Sequence, residues 1–84
     1  MNKVTVKYRG HLAALTGIAE ETLEAVDVNG ALKSLRKIHG RQAAKAARSM
    51  LITLNGESIL LLNSYKTPLY EGDVLSFLPI CAGG

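Results

Sequence analysis

Residues 70–84, YEGDVLSFLPICAGG, contain the last predicted strand, and the arrangement of the whole chain depends on it. The strand is VLSFLP, residues 74–79, and it follows a turn at Gly72. The strand ends at Pro79, because proline cannot donate a hydrogen bond to a neighbouring strand. The remaining residues, 80–84, end in two glycines. The default interpretation of such an ending is a frayed terminus. Evidence that these residues have a function must therefore come from the rest of the sequence.

The alternation of side chains along this strand assigns one of its faces to the core. If Leu75 and Phe77 point inward, then Val74, Ser76 and Leu78 point outward, because successive residues of a strand face opposite sides of the sheet. Apolar residues exposed beside the C-terminal segment would form a docking patch for a partner protein. Leu78 is the residue that we expect at such an interface.

The N-terminal residues predict a neighbour for this strand. In residues 3–8, KVTVKY, polar and apolar side chains alternate, which is typical of a half-buried strand. Residues 10–17, GHLAALTG, predict a short helical turn that packs over the sheet. Residues 20–26, EETLEAV, predict a second strand that pairs back on the first. The first and last strands can both be central in the sheet if they lie parallel.

The segment from Asn29 to Gly40 predicts an amphipathic helix. Asn29 is a good N-cap, because its side-chain oxygen can accept a hydrogen bond from a free amide of the first turn. Gly40 is placed where a left-handed C-cap is expected, and His39 would complement the carbonyl end of the helix dipole. The apolar residues recur at helical spacing and form one stripe, which consists of Ala31, Leu32, Leu35 and Ile38.

Residues 41–50, RQAAKAARSM, predict a second helical segment, because alanine is the best helix former. The basic residues Arg41, Lys45 and Arg48 share one face of it. The basic face is either a solvated surface or a docking surface for an acidic partner, and the sequence leaves both interpretations open. The opposite face can lie on the domain and consists of Ala43, Ala46, Ala47 and Met50.

The remaining strands complete an α+β fold. Residues 51–54 predict a strand, Asn55-Gly56 is a strong hairpin signal, and residues 57–63, ESILLLN, should form the returning strand. A mixed sheet of four to five strands with the helices packed on one face buries both apolar stripes. This is the β-grasp, or ubiquitin-like, arrangement, although the pattern alone does not determine the strand order. The predicted domain covers residues 1–79, and residues 80–84 form a flexible C-terminal tail.

The length and charge of the chain limit the classes of function. Eighty-four residues form one small domain without room for a deep active-site pocket, which argues against a self-sufficient enzyme. The net charge of +3 is compatible with an acidic partner. It is also within the ordinary range for a small domain, so nucleic acid is not the expected partner.

Signals for metals and membranes are missing from the sequence. Cys81 is the only cysteine, and His11 and His39 are far apart, so no bound metal or cofactor is expected. The N-terminus lacks the apolar core that is typical of a signal peptide. No strictly apolar run is longer than that of residues 59–62, which is too short to span a membrane. We therefore expect a cytoplasmic protein without a membrane partner.

The stretch YEGDVLSFLPICAGG resembles the C-terminus of the MoaD/ThiS family of ubiquitin-like sulfur carriers. In that family a Gly-Asp turn leads into a last strand, a proline and a short tail that ends in Gly-Gly. Residues 4–17, VTVKYRGHLAALTG, are similar to the opening strand and its Leu-x-x-Leu-x-Gly helix, and residues 54–59, LNGESI, to the mid-domain strand and turn. Pro79 and the Ala-Gly-Gly ending are closer to the molybdopterin synthase small subunit than to the thiamine carrier.

Two features depart from the family pattern. Many relatives have Pro-Pro-Val or similar residues before Ala-Gly-Gly, whereas this chain has Pro79-Ile80-Cys81. The basic, alanine-rich residues 41–50 also have no residue-by-residue match in the family. These departures leave the carrier role intact, and they leave the partner and the pathway open.

The resemblance implies that Gly84 is the reactive residue, together with Gly83. A ubiquitin-activating-like adenylating enzyme of the MoeB/ThiF type would use ATP to adenylate Gly84, and sulfur from a persulfide would displace AMP to leave a thiocarboxylate. The chain would have no complete active site of its own. It would donate sulfur for molybdenum- or tungsten-cofactor synthesis, as the small subunit of a molybdopterin synthase with a MoaE-type large subunit.

The residue types of the tail suit this role. Without a Cβ, Gly83 and Gly84 can pass through a narrow tunnel in a partner protein. Cys81 is either an inert apolar residue or a sulfur relay or disulfide partner, and both interpretations stay open. The partner-binding residues would be Leu78, Pro79, Ile80, Cys81 and Ala82, with Val74, Arg41, Lys45 and Arg48 as further contacts.

Other functions remain open at this point. Activated Gly84 could form isopeptide bonds with lysines, as in a ubiquitin-like modifier, or the sulfur could serve thiamine or another pathway. A third hypothesis is a binding module whose basic face contacts RNA or an acidic protein. A self-sufficient enzyme is disfavoured, because the sequence has no nucleophile–base pair and no phosphate-binding loop.

Overall fold

The structure is a computed structural model and describes residues 1–80. These residues form a five-stranded sheet and three α-helices. Two short 3₁₀ turns, Ile59–Leu61 and Ser64–Lys66, lie in the connection to the last strand. In chain order the elements are β1 (Asn2–Tyr8), α1 (Gly10–Thr16), β2 (Glu20–Ala25), α2 (Val28–His39), α3 (Arg41–Arg48), β3 (Leu51–Leu54), β4 (Glu57–Ser58) and β5 (Val74–Leu78).

The sheet has the strand order β2-β1-β5-β3-β4. The first and last strands are neighbours and run parallel, with Val6 opposite Leu75 and Tyr8 opposite Phe77. The neighbouring pairs β1–β2, β3–β5 and β3–β4 are antiparallel. The parallel pair at the centre of a mixed sheet confirms the predicted β-grasp, ubiquitin-like fold.

The core lies between one face of the sheet and the helices, as expected from the alternation along β1 and β5. Val6, Leu75 and Phe77 are fully buried on this face. Leu12 of α1 and Leu35 of α2 cover them from the helical layer and are also fully buried. Each such side chain contributes about 1.5–3 kcal/mol by leaving water, so this layer stabilises the domain substantially.

Helix α2 begins earlier than predicted, and its N-cap is Asp27 and not Asn29. The Asp27 carboxylate accepts a hydrogen bond from the amide of Gly30 at 2.7 Å. Asp27 is held in an extended conformation by an isolated antiparallel bridge to Pro68. Both residue types are good caps, and the tertiary bridge places Asp27 in the non-helical geometry that a cap requires.

The end of α2 also differs from the prediction at one position. Ile38 was expected in the buried stripe, but its side chain is 57% exposed. His39 is directed toward the domain, with a side chain that is only 13% exposed. His39, and not Ile38, lies on the buried face because of helix geometry. Leu32 and His39 are seven residues apart, which places them on nearly the same side of the helix. Gly40 ends α2 as predicted and has a positive φ of 96°, but its ψ of 174° is not left-handed helical.

The predicted hairpin is present, but its returning strand is short. Asn55 and Gly56 have φ values of 51° and 88°, as expected for an Asn-Gly turn between two strands. The expected strand over 57–63 is wrong beyond Ser58, because a 3₁₀ turn begins there. The hydroxyl of Ser58 accepts a hydrogen bond from the amide of Leu60 and so caps this turn.

Candidate functional site

The last described residues leave the sheet beside the start of α1. Strand β5 ends at Leu78, and the ring of Pro79 lies against Gly10. A Cβ placed on Gly10 would be 3.4 Å from Cγ of Pro79. Gly10 also has a φ of +57°, which glycine adopts without strain. Pro79, the first residue after β5, therefore packs against the start of α1 and is not paired in the sheet.

Two shallow grooves flank this exit, and Ile80 contributes to both of them. The first has a volume of about 380 Å³ and includes His11 and Met50. The second has a volume of about 190 Å³ and includes Leu51 and Leu60. The Ile80 side chain is 61% exposed between them.

The exit is bordered by apolar side chains, which we call the exit patch. Leu51 and Leu78 are directly paired across β3 and β5 and are both half-buried on the face opposite the helices. Leu60 is 75% exposed and shares a groove with Leu51 and Ile80. The exit patch therefore consists of Leu51, Leu60, Leu78 and Ile80. Leu78 lies where the alternation of β5 predicted it.

The exposed leucines of the 3₁₀ turn were missed in the sequence. The pattern of residues 57–63 predicts a strand, which would place these leucines in the sheet. In the structure Ile59 is buried, whereas Leu60 and Leu61 are both about three-quarters exposed (75% and 76%). A run of four apolar residues with room in the core for only one of them is the signal that could have indicated a surface.

Val74 does not belong to the exit patch. It is half-buried on the same face of β5 as Leu78, but it lies at the opposite end of the strand and pairs with Thr5. Four residue steps along the strand separate the two by roughly 13 Å. Ser76, which lies between them on that face, interrupts the apolar surface.

Four of the predicted site residues, Cys81, Ala82, Gly83 and Gly84, lie outside the described residues. Within residues 1–80 no group of three or more His, Cys, Asp or Glu side chains is arranged to hold a metal ion. No helix in this part of the chain is long and apolar enough to cross a membrane.

The basic residues predicted on one face lie in α3 and are exposed. Arg41, Lys45 and Arg48 line a groove between α3 and α2. The guanidinium of Arg48 lies over the ring of Tyr65, at 5.5 Å from its centroid. Arg48 also lines the smaller groove at the exit, so the basic surface and the exit patch adjoin.

One polar cluster was not predicted at all. The hydroxyl of Tyr8 donates a hydrogen bond to Oε2 of Glu21, and Nε2 of His39 lies 2.6 Å from the same oxygen. The cluster links β1, β2 and the end of α2, so His39 contacts a carboxylate in addition to lying in the last helical turn. Burial raises the pKa of Tyr8 well above its ordinary value, and the hydrogen bond and charge of Glu21 raise the pKa further. Tyr8 is therefore protonated at neutral pH and donates to Glu21, and the cluster joins three elements of the fold.

The sequence model of the ThiS family matches residues 6–84. The chain is similar in structure to the small archaeal modifier protein 1 (SAMP1) from Methanosarcina acetivorans, with 27% identity and a TM-score of 0.83 over 100% of this chain and 98% of that chain. It is also similar to a chain of the complex of subunits 1 and 2 of the molybdopterin-converting factor from Helicobacter pylori 26695. That match has 25% identity and a TM-score of 0.68 over 98% of this chain and 99% of that chain.

A third structure shares the fold at lower identity. A chain of the BexX/CysO complex from Amycolatopsis orientalis is 22% identical, with a TM-score of 0.83 over 96% of this chain and 99% of that chain. Among curated proteins, none matches the sequence significantly.

Proposed function

The chain belongs to the ThiS family, and we propose that it is a sulfur carrier whose C-terminal Gly84 is activated by a partner enzyme and converted to a thiocarboxylate. Activation is needed because a main-chain carboxyl group has a pKa of about 3.3–3.7 and is an unreactive carboxylate at neutral pH. ATP would adenylate this carboxylate with loss of pyrophosphate. A persulfide sulfur would then displace AMP, and cleavage of its S–S bond by a second thiol would leave the thiocarboxylate.

The observation that supports this proposal most directly is the way in which β5 ends. β5 is the central strand of the sheet, and its C-terminal end leads to Pro79, which packs on Gly10. Ile80 follows and is exposed. Five residues follow Pro79 in the sequence. If extended, they would span about 16–18 Å, which is enough to place Gly84 inside a partner.

The residues of the tail have distinct roles in this proposal. Gly83 and Gly84 would fit a narrow tunnel and leave the reactive carbon unhindered, because they have no Cβ. Ile80, Cys81 and Ala82 would form the stalk between the domain and the reactive group. Catalytic groups and ATP would be supplied by the partner, which we propose to be an adenylating enzyme of the MoeB/ThiF type.

The exit patch is the proposed docking surface for this enzyme. Its four apolar side chains surround the point where the tail leaves, so a protein that binds them would be aligned with the tail. Burial of a Leu or Ile side chain in an interface contributes about 1.5–3 kcal/mol. The same patch would contact the protein that receives the sulfur.

For the pathway, we propose molybdopterin synthesis with a MoaE-type large subunit as the second partner. The likeness to the Helicobacter pylori structure, a complex of subunits 1 and 2 of a molybdopterin-converting factor, supports this choice. The ending of Pro79 and Ala-Gly-Gly supports it as well. Supply of sulfur to thiamine or another pathway is the alternative within the same chemistry.

A second candidate is a ubiquitin-like modifier that is joined to lysines through Gly84. It is favoured by the 27% identity to SAMP1, which is a modifier by its name. Both candidates require the same adenylation of Gly84, so they differ only in the nucleophile that attacks next. Attack by a persulfide on the adenylated Gly84 leads to a thiocarboxylate, as in a sulfur carrier. Attack by a lysine amine gives an isopeptide bond, as in a modifier.

The test is intact-mass analysis after incubation with ATP, a sulfur source and an activating enzyme of the same organism. We expect the mass gain for exchange of one oxygen for sulfur, and loss of this gain when Gly84 is deleted. Lysine-linked adducts in place of the thiocarboxylate would favour the modifier. If the mass is unchanged although the same enzyme preparation activates a known carrier protein, both the sulfur-carrier and the modifier proposals would be contradicted.

A further inference from the structure

The charges of this chain are strongly segregated. Residues 28–56 contain six of the ten Lys and Arg residues and no Asp or Glu. All seven acidic residues lie outside this segment: three in β2, one at the N-cap of α2, one in β4 and two in the turn before β5. Because residues 28–48 form α2 and α3, the helical layer is strongly basic although the net charge of the chain is only +3.

The two helices bring these charges together along one groove. Lys33 and Arg36 of α2 form one wall, and Arg41, Lys45 and Arg48 of α3 form the other. We call this feature the basic groove; its volume is about 380 Å³. Its floor is apolar and consists of Leu32 and Ala44, both buried.

The cations of the basic groove have no carboxylate partner in the described chain. Within residues 1–80 the only ion pair joins His39 to Glu21, on a different part of α2. The five basic side chains of the groove are exposed. Like charges at this spacing repel each other, and a bound anion would relieve that repulsion.

We infer that the basic groove binds an acidic segment of a partner protein. Its size suits a short peptide, because α3 has eight residues and a helix of that length extends about 12 Å. Cations on both walls would pair with carboxylates on both sides of the segment. This inference is independent of the activation of Gly84.

The same observations favour a protein segment over RNA. Single-stranded nucleic acids bind where bases stack on aromatic rings, and none of the residues that line the basic groove is aromatic. The ring of Tyr65, which Arg48 reaches from the groove, is covered by that guanidinium. Arg48 also borders the groove at the exit, so an acidic segment in the basic groove would lie beside a protein docked on the exit patch.

The experiment is fluorescence-anisotropy titration of the full chain into labelled oligoglutamate and, separately, labelled oligouridylate of equal charge. The test variant combines Arg36→Gln, Arg41→Gln and Lys45→Gln. The matched control combines Lys3→Gln, Lys7→Gln and Lys66→Gln, which removes the same charge from outside the groove. Thermal melts by circular dichroism verify that both variants fold.

We expect oligoglutamate to bind at low ionic strength and to be weakened by salt. The groove variant should weaken this binding by about tenfold or more, and the control by less than about twofold. Equal losses in the two variants would show unspecific charge attraction and overturn the inference. Tighter binding of oligouridylate through the same residues would show that the basic groove is a nucleic-acid site. If oligoglutamate does not bind at all, the inference is also overturned.

Discussion

Gly10 lies beside Pro79, and a Cβ built on Gly10 would be 3.4 Å from Cγ of the proline ring. The contact joins the start of α1 to the residue that closes β5. Position 10 therefore combines a positive φ with a ring at van der Waals distance from any Cβ, which leaves no room for a larger side chain directed toward Pro79. Gly17, at the other end of α1, has a positive φ of +77° but nothing within 4 Å of such a Cβ.

This difference allows the packing contact to be measured separately from backbone strain. Gly10→Val and Gly17→Val each place a side chain in the left-handed region, which costs about 1–2 kcal/mol. Gly10→Val should destabilise by about 1 kcal/mol more in urea unfolding, because its methyl groups would overlap the ring. The excess should disappear in a Pro79→Gly background. Equal costs at the two glycines would show that the contact with Pro79 contributes nothing.

A second prediction concerns the carboxylate of Glu21, which accepts from Tyr8 and contacts His39. Glu21→Ala should cost about 1–3 kcal/mol of unfolding free energy, since it leaves the fully buried Tyr8 hydroxyl without its acceptor. Tyr8→Phe should cost less, because Glu21 keeps His39 and is partly open to water. Glu24→Ala, at an exposed position of the same strand, is the control and should stay within about 0.5 kcal/mol. A larger cost for Tyr8→Phe than for Glu21→Ala would contradict this account.

The raised pKa of Tyr8 predicts a loss of stability in alkali. In the unfolded chain tyrosine ionises near pH 10, whereas in the folded protein Tyr8 stays protonated at higher pH, so only the unfolded state releases this proton. Above pH of about 10 the unfolding free energy should therefore fall by up to about 1.4 kcal/mol per pH unit on account of Tyr8. Tyr8→Phe should remove this component of the pH profile, and Tyr70→Phe, at an exposed tyrosine, should leave it. The same alkaline slope in wild type and Tyr8→Phe would exclude Tyr8 as its source.

The central part of the fold could be predicted because its pattern is local. The alternation in β1 assigns Val6 to the core whatever the neighbouring strand is, and the same applies to Phe77 in β5. The choice between Asn29 and Asp27 as N-cap is different. Both are suitable caps, and the bridge between Asp27 and Pro68, far away in sequence, decides it.

The surface of the candidate site could be predicted only in part, for a related reason. Leu78 follows from the alternation of β5, but the exposure of Leu60 depends on where the chain turns after Ser58. Likewise, the meeting of Glu21 and His39 depends on how α2 crosses β2, which no spacing in the sequence encodes. Arg36 and Arg41 come together because of the angle between α2 and α3, which the sequence does not reveal.

The last prediction tests the exit patch by comparing two isoleucines of similar exposure. Ile80 is 61% exposed at the exit, and Ile38 is 57% exposed on α2 and lines neither exit groove. Ile80→Asp and Ile38→Asp should both leave the unfolding free energy within about 0.5 kcal/mol, because neither side chain is in the core.

Their effects on activation should differ. If the activating enzyme docks on the exit patch, Ile80→Asp would place a charge in an apolar contact, and kcat/KM for adenylation should fall by about tenfold or more. Ile38→Asp should change kcat/KM by less than about twofold, since it introduces the same charge outside the patch. Leu60→Asp serves as an independent probe and should reproduce the loss without touching the tail. A loss with Ile80→Asp and none with Leu60→Asp would restrict recognition to the tail and contradict docking on the exit patch.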